Sequence, residues 1–320
     1  MMLPGATDVQ VLGIDAGGTK TICYLAGGDG RVLGEARGGG ANLQTEGELA
    51  VEKVLHAVME DAIGSHEPTV AAICLGMAGV DREGEGAIVG EIMRRIGAGA
   101  RVVVVNDALV ALVAGVGDAA GVVIISGTGS IAYGRNRDDR AARAGGWGHV
   151  LGDEGSGYWI GRQALRAVTR AADSRGPATA LVARVLKHFE VERPSDLVAE
   201  VYQREPHRPE LARLARVVQE ARNEGDELAT QILEQAAHEL VRAARSVVER
   251  LQLREETFDF ILSGGVFAGV PWLTEELQRR LPAIAPGSSV RRLEVEPAVG
   301  AVHLALAEAG DGARIPTYVD

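Results

Sequence analysis

The chain has 320 residues, of which 46% are hydrophobic and 24% charged, and its formal net charge is −11. This balance is typical of a folded chain of about two domains and excludes a disordered one. The negative charge argues against a nucleic-acid partner or a membrane surface, because both call for basic patches. The N-terminal stretch lacks a basic segment followed by an apolar one, so we expect no secretory signal and a cytoplasmic protein.

The first third of the chain alternates strand-like and helical patterns. Residues 9–37 predict three strands, and the spacing of apolar residues predicts a helix over residues 46–63. Further along, the pattern predicts a buried strand at "TVAAICLG", a helix over 84–96, a second buried strand at "RVVVVND" and a helix from "ALVALVAG". Residues 108–127 carry a single charge, but their glycines and β-branched residues favour a buried helix and strand over a membrane span.

The chain contains two cysteines, Cys23 and Cys74, and both lie in apolar strand-like runs. The sequence has no C-x-x-C motif, so we expect no zinc ribbon, redox dithiol or iron–sulfur site. Two buried thiols are the expected outcome.

The first strand ends in an acid and a glycine turn. In "LGIDAGGTKT", Asp15 leads into Gly17, Gly18 and Thr19, and the residues that follow predict further strands. A P-loop or a dinucleotide fold would need a helix there. Exposed N–H groups of such a turn can bind phosphate, and a neighbouring carboxylate suits Mg²⁺. The alternative is a β-hairpin whose glycines only permit positive φ.

The same pattern returns at residue 121, where "GVVIISGTGSIAYGRNRDDR" predicts strand, Gly-Thr-Gly turn and strand. Such a repeat predicts two similar half-molecules facing each other across a cleft, unless two unrelated glycine hairpins coincide. Residues 158–251 are dominated by helical patterns. "FDFILSGGVFAG" then predicts a strand ending in Gly264 and Gly265, and "EPAVGAVHLALAEAG" a loop opening a C-terminal helix.

The motifs "GIDAGGTKT", "VNDA", "ISGTGSIAYG", "GGWGHVLGDEGSGYWIG" and "LSGGVFAG" together define a resemblance. From about residue 11 to residue 306, the chain resembles the BadF/BadG/BcrA/BcrD-type ATPase family, in the N-acetylglucosamine kinase branch of the sugar kinase/Hsp70/actin superfamily. The resemblance implies an α/β fold of two ribonuclease-H-like domains, the actin-like ATPase fold, around an interdomain cleft. We expect residues 1–117 to form the N-terminal domain, with the helix at 303–320 packed back on it, and residues 118–302 to form a C-terminal domain with a helical insertion.

The resemblance further implies ATP-dependent phosphorylation of an amino sugar at its 6-hydroxyl, with Mg²⁺, by a homodimer. Such a transfer needs a base, a metal ion and donors to the phosphate oxygens. Asp107 ends the strand "RVVVVND" and matches the family's base position; its alternative role is that of an N-cap. Asp15 is expected to hold the Mg²⁺ ion.

The remaining site residues also follow from the resemblance. The predicted contacts with the sugar are Asn42, Asp107, Ser130, Gly146, Trp147, Asp153 and Gly157. The predicted contacts with ATP are Gly17, Gly18, Thr19, Gly127, Thr128, Gly129, Gly264 and Gly265.

Several of these residues could instead have a purely structural role. Asp153 and Asn42 can be turn formers, and Trp147 can be core filling. The missing side chain of Gly157 suggests room for an acyl group. We expect Lys20 to be a solvated turn lysine and His149 to orient its loop.

Two classes of function stay open. The first is a kinase acting on N-acetylglucosamine, glucosamine or a muramic relative. The second is an ATPase or sugar sensor that closes around its ligands and acts on a partner protein. A kinase needs the base at Asp107, whereas a sensor does not, and the presence of both phosphate-side and sugar-side motifs favours the kinase.

Overall fold

The computed structural model describes residues 9–65, 69–80, 84–202 and 208–319. Their contacts separate into two compact units. The first unit contains the described residues up to 121 together with 134–141 and those from 293 onward. The second unit contains 122–133 and the described residues of 142–292.

A five-stranded sheet forms the centre of the first unit. Its strands are β1 (Gln10–Ala16), β2 (Thr21–Gly27), β3 (Val32–Gly38), β4 (Val70–Met77) and β5 (Arg101–Asn106). They lie in the order β3-β2-β1-β4-β5, with antiparallel pairing in the β1–β2–β3 meander and parallel pairing of β1 with β4 and of β4 with β5. The carboxyl ends of the parallel strands β1, β4 and β5 therefore meet at one edge of the sheet.

Four helices of the first unit accompany this sheet. They are α1 (Leu43–Glu46), α2 (Glu48–Ile63), α3 (Glu85–Arg95) and α4 (Asp107–Val116). Apolar side chains of β1, β2 and β4 pack with α2 and α3 into one core, which includes Leu12, Leu25, Leu55, Leu75 and Ile92. The predicted buried helix and strand within 108–127 are confirmed as α4 and the strand that follows it.

The second sheet repeats the arrangement of the first. Its strands are β6 (Gly121–Ser126), β7 (Ser130–Arg135), β8 (Arg140–Gly145), β9 (Asp259–Ser263) and β10 (Ser289–Arg292), with β11 (Thr317–Tyr318) at its edge. The order β8-β7-β6-β9-β10 is that of β3-β2-β1-β4-β5, so the predicted internal repeat is confirmed. Each glycine turn joins the first two strands of its own repeat.

The helices of the second unit follow β8 and precede β10. They are α5 (Gly157–Ala172), α6 (Leu181–His188), α7 (Leu197–Tyr202), α8 (Arg208–Asn223), α9 (Glu227–Arg250), α10 (Gly265–Gly269) and α11 (Pro271–Arg280). α9 buries the apolar stripe predicted from its spacing, including Ile232, Leu240 and Val247. The helical region expected at 158–251 is confirmed.

α12 (Ala298–Ala309) lies in the first unit and packs against β1, β4 and α4. The expected helix at 303–320 is therefore wrong in its bounds, because the helix begins at Ala298 and ends before Gly310, and the short strand β11 follows. The approach of α12 to α4 is close enough to require a glycine, because a methyl group at Gly300 would lie 2.0 Å from the Val110 carbonyl oxygen. This backbone contact between helices holds α4, and with it Asp107 at its first residue, at the carboxyl edge of the sheet.

Two further properties bear on function. Cys23 and Cys74 are free thiols without exposed surface, as predicted, and burial raises the pKa of Cys23 to about 12. Neither thiol is therefore a ready nucleophile or metal ligand. Within the described part of the chain, we find no helix that combines the length and apolar character needed to cross a membrane.

Strands β8, β10 and β11 are absent from the sequence-based prediction, which expects only a tight turn after β7. The residues of β10, Ser289–Arg292, are exposed except at one position, because this strand lies at the edge of its sheet beside β9. It therefore lacks the apolar run by which a buried strand is recognised.

Candidate active site

The first glycine turn is closed by its own backbone and exposed to solvent. The Gly17 N–H donates to the Lys20 carbonyl at 3.0 Å, and the Ala41 N–H donates to the Gly17 carbonyl at 3.0 Å. Gly18 and Thr19 are exposed, and no atom lies within 4 Å of the place where a methyl group at Gly18 would stand. The backbone at Gly18 is thus open to a ligand, as phosphate binding by backbone N–H groups requires.

Asp15 lies just before this turn and is buried, with 8% of its surface exposed. Burial and, to a lesser extent, the neighbouring Asp107 carboxylate together raise the pKa of Asp15 to about 7, while Lys20 opposes the shift. Two carboxylates that repel each other at the edge of the sheet fit a cation, which would neutralise them. Among the described residues, no group of three or more His, Cys, Asp or Glu side chains could hold a metal ion, so an ion here would need water or phosphate ligands as well.

Asp107 is the first residue of α4 and is partly buried. The N-cap of that helix is its neighbour Asn106, whose side chain accepts a hydrogen bond from the Ala108 N–H at 2.8 Å. The alternative interpretation of Asp107 as the N-cap is therefore wrong. β5 and α4 instead bring the Asp107 carboxylate close enough to Asp15 for the two charges to interact.

Lys20 is exposed, as expected of a turn lysine, and it also forms an ion pair. Its Nζ lies 2.8 Å from Glu296 Oε2, and Glu296 Oε1 lies 3.3 Å from Arg37 Nη1. Burial opposes ionisation of Glu296, but hydrogen bonds and charges from Lys20 and Arg37 hold its pKa below the usual value. The sequence offers no signal for this contact, because Glu296 precedes α12, 276 residues along the chain from Lys20.

Asn42 begins the first helix after the β3 strand. It is the N-cap of α1, and its Oδ1 accepts a hydrogen bond from the Gln44 N–H at 2.9 Å. The adjoining Gly40 packs on the first turn, since a methyl group at Gly40 would lie 2.6 Å from the Gly18 carbonyl oxygen. Asn42 thus has the local capping role that was its alternative, and its contact with a sugar stays a prediction.

The second glycine turn, residues 127–129, is supported from three sides within the second unit. The Gly157 N–H donates to the Gly127 carbonyl at 2.8 Å, and Ser126 Oγ donates to the Gly155 carbonyl at 2.8 Å. Gly264 has a φ of +112° and lies so close that a methyl group on it would stand 2.3 Å from the Ser126 carbonyl oxygen. The predicted phosphate contacts at 127–129 and at 264–265 therefore belong to one packed cluster.

Asp153 lies directly against this turn. Its Oδ1 accepts from the Ser130 N–H at 3.4 Å, and Ser130 Oγ donates to the Glu154 carbonyl at 2.8 Å. Asp153 is only 5% exposed and has a φ of +61°, which is strained for a residue with a side chain. Burial raises the pKa of Asp153, while the Ser130 N–H, Arg208 and His149 oppose the shift. The structure thus joins two predicted sugar contacts, Ser130 and Asp153, to the predicted phosphate turn.

Trp147 stands on a glycine-rich loop between β8 and α5. The loop is attached to β7 by a hydrogen bond of 3.0 Å from the Gly146 N–H to the Ser130 carbonyl. Trp147 is 56% exposed, and the Arg143 guanidinium carbon lies 5.4 Å from its ring centroid. Core filling is therefore the wrong interpretation of Trp147, and its exposed ring is consistent with a sugar wall.

His149 contacts an arginine that the sequence motifs did not point to. Its Nδ1 lies 3.3 Å from Nη1 of Arg208, the first residue of α8, and its ring makes an edge contact with Tyr158. Burial lowers the pKa of His149, and the Arg208 charge lowers it further. Arg208 lies outside every motif of the sequence, so only the packing of α8 reveals its place beside the loop.

The space beside Gly157 is occupied, contrary to expectation. A methyl group there would lie 3.0 Å from Ala212 Cβ and 3.1 Å from the Gly127 carbonyl oxygen. The small residue permits α8 and the second turn to approach α5, and it leaves no room for an acyl group at that point. Gly265, in contrast, has no atom within 4 Å of where a methyl group would stand, so its surface is open.

Two repeated sheets, each with a glycine turn after its first strand, define the class of two-domain α/β proteins with the actin-like ATPase fold. A ROK family glucokinase from Streptomyces griseus shares this fold, with a TM-score of 0.62 at 18% identity over 95% of this chain and 99% of its own. A structure from Chromobacterium violaceum, for which N-acetylglucosamine kinase activity has been proposed, is more similar. It reaches a TM-score of 0.73 at 28% identity over 93% of this chain and 98% of its own.

The chain belongs to the BadF/BadG/BcrA/BcrD ATPase family, which it matches over residues 12–305. It is 36% identical to the N-acetylmuramic acid/N-acetylglucosamine kinase of Clostridium acetobutylicum, over 93% of this chain and 98% of the relative. It is 34% identical to the N-acetyl-D-glucosamine kinase of Dictyostelium discoideum, over 92% of this chain and 97% of that relative. The predicted family, fold class and enzyme class, an ATP-dependent phosphotransferase, are confirmed.

Proposed function

We propose that this protein transfers the γ-phosphate of ATP to the 6-hydroxyl of N-acetylglucosamine or a related hexosamine. The observation that supports this most directly is the contact between the second turn and Asp153, whose carboxylate accepts from the Ser130 N–H. An ionised carboxylate that accepts hydrogen bonds from hydroxyl groups suits a sugar, and the neighbouring glycine turn suits a phosphate. The curated relatives named as kinases of such sugars support the substrate class.

In this proposal Asp107 is the general base. It stands at the carboxyl edge of the first sheet, at the start of α4, and the capping hydrogen bond of that helix is made by Asn106. Its carboxylate accepts the proton of the 6-hydroxyl as the oxygen attacks the γ-phosphorus, so that the nucleophile is not left with an unfavourable charge.

The phosphates of ATP are bound by backbone N–H groups and by the Thr19 and Thr128 hydroxyls. The first turn contributes Gly17 and Gly18, and the second turn contributes Gly127 and Gly129. The nucleoside lies beside Gly264, against the open surface of Gly265. Asp15 would hold Mg²⁺, because a cation relieves its repulsion with Asp107. When bound, the ion neutralises charge on the phosphate oxygens.

The sugar is bound mainly by Asp153 and Ser130, with Asn42 as a further hydrogen-bonding group. Gly146 and Gly157 supply backbone next to these side chains, and the exposed Trp147 ring supplies an apolar wall. The acyl group must lie elsewhere than beside Gly157, where Ala212 fills the space.

Incubation of the protein with ATP, Mg²⁺ and a panel of N-acetylglucosamine, glucosamine, N-acetylmuramic acid and glucose tests the proposal. We expect a sugar phosphate by mass spectrometry, with the phosphate on carbon 6 by NMR, and ADP in equal amount. Release of inorganic phosphate at one rate with and without sugar would instead support an ATPase or sensor that acts on a partner protein.

A further inference from the structure

The position of Arg208 is determined by the way α8 packs on α5. The two helices approach so closely that a methyl group at Gly161 would stand 2.0 Å from the Leu211 carbonyl oxygen, and Ala212 fills the space beside Gly157. Arg208 precedes Ala212 by four residues, so the two side chains share a face of α8. Arg208 is therefore held over the start of α5, next to the loop that carries His149 and Asp153.

The described contacts leave most of the Arg208 guanidinium group for a ligand. An arginine side chain has five N–H donors and no acceptor, and its contact in the described structure is His149 Nδ1 at 3.3 Å. Because arginine can only donate, Nδ1 must be the unprotonated nitrogen of the ring, which agrees with the lowered pKa of His149. Among the described side chains, no carboxylate lies within ion-pair distance of Arg208.

The local charge at this place is opposite to that of the whole chain. Arg208 and Arg162 both lower the pKa of His149, and Arg208 opposes the raised pKa of Asp153. A chain with a net charge of −11 repels anionic small molecules at long range. An arginine beside the sugar-binding carboxylate would offset this repulsion locally for an anionic ligand. An arginine fork matches the geometry of a carboxylate on a ligand and binds it through two parallel hydrogen bonds.

We propose that Arg208, oriented by His149, is the specificity residue that binds a carboxylate substituent on the hexosamine. The preferred substrates are then N-acylated hexosamines that carry an acidic ether group, of which N-acetylmuramic acid is an example, and neutral hexosamines bind without using Arg208. This inference rests on the proposed hexosamine kinase function, and it adds to that function the chemical class of the preferred sugar and the residue that selects it.

The test compares the wild-type protein with Arg208→Gln and Arg208→Lys, and uses Arg213→Gln as the matched control. Arg213 lies on the same helix and is exposed, and its charge acts on His188 rather than on His149. Isothermal titration gives the dissociation constants of N-acetylmuramic acid, N-acetylglucosamine and N-acetylglucosamine 1-phosphate, and steady-state assays give kcat/KM for the first two sugars. Circular dichroism checks that each variant is folded.

We expect Arg208→Gln to raise the dissociation constant of N-acetylmuramic acid by about 10- to 100-fold, the usual effect of losing a hydrogen bond between charged groups. The same substitution should change the dissociation constant of N-acetylglucosamine by less than about threefold. For N-acetylmuramic acid, Arg208→Lys should give a dissociation constant between those of the wild type and Arg208→Gln. Arg213→Gln should leave the dissociation constants of both sugars unchanged. An equal loss for both sugars, no loss for either, or tighter wild-type binding of the sugar phosphate than of the carboxylated sugar would overturn the inference. Failure of the kinase proposal is separate: it would appear as no phosphate transfer to either sugar, while the ratio of dissociation constants still decides the role of Arg208.

Discussion

The two glycine turns of this protein have the same local sequence character but very different surroundings. The first, Gly17–Lys20, is exposed at its tip and has a buried acid, Asp15, before it and an ion pair from Lys20 after it. The second, residues 127–129, follows the uncharged Ser126, and Asp153 and Gly264 pack against it. Charged side chains are therefore the main neighbours of the first turn, whereas the second turn is held mainly by close packing.

Under the proposed function, this difference lets a repeated motif support two distinct tasks. A phosphate needs neutralisation as well as backbone donors, and a cation can be held where acids already cluster, at Asp15 and Asp107. A sugar needs hydrogen-bonding groups in fixed positions, and those are available where Ser130 and Asp153 are braced by several segments. Charge changes in the first unit and volume changes in the second should accordingly have different effects.

The largest effect is expected from Asp107→Asn. The substitution keeps the size of the side chain but removes the proton acceptor, so kcat should fall by about 10² or more while ATP still binds. Coupled-enzyme kinetics and ATP titration measure the two quantities. Asp118→Asn, an exposed change just beyond the other end of α4, is the control and should leave both unchanged. Near-normal turnover of Asp107→Asn would remove this residue from the mechanism.

A smaller and differently distributed effect is expected from Asp153→Asn in the second unit. The amide keeps one acceptor oxygen but loses the charge, so KM for the sugar should rise by about 10- to 100-fold while KM for ATP changes little. Initial rates over a grid of both substrates give the two constants. If KM for ATP rose in parallel, Asp153 would support the phosphate turn rather than the sugar.

The packing of the two turns is compared directly by Gly129→Ala and Gly18→Ala. A methyl group at Gly129 would lie 3.0 Å from Asp153 Oδ2, whereas nothing lies within 4 Å of the same position at Gly18. We expect the first variant to lower the free energy of unfolding by about 1–2 kcal/mol and the second by less than about 0.5 kcal/mol. Urea denaturation without ligands measures both. Equal losses would contradict the view that only the second turn is braced by packing.

The smallest effect is expected at the ion pair of the first turn. Glu296→Gln breaks the contacts with Lys20 and Arg37, which are partly exposed, and should cost less than about 1 kcal/mol of stability, decreasing further as salt is added. Thermal unfolding at low and high ionic strength tests this. Glu52→Gln, which breaks a comparable pair with Arg95 in the same unit, is the matched control. A loss well above that of Glu52→Gln would show that Glu296 supports the turn through more than charge.

Most elements of the fold could be predicted because their patterns are local. The strands β1 to β7 and β9, the stripe of α9 and the sites of the glycine turns follow from runs and spacings of a few residues. The edge strand β10 could not be predicted, since its residues are mostly exposed and no apolar pattern marks it. The positions of Asp15, Asp107 and Asp153 at strand ends and in turns also follow from local sequence, although their roles stay proposals.

Other features depended on segments far apart in the chain. The filling of the space beside Gly157 by Ala212, and the contacts of Lys20 with Glu296 and of His149 with Arg208, are examples. The sequence by itself determined the repeat, the element types and the chemistry present at each turn, because hydrophobic period and turn preference act over a few residues. Only the tertiary structure decided which charges and side chains meet, because close packing and Coulomb forces depend on distance in space and not on separation along the chain.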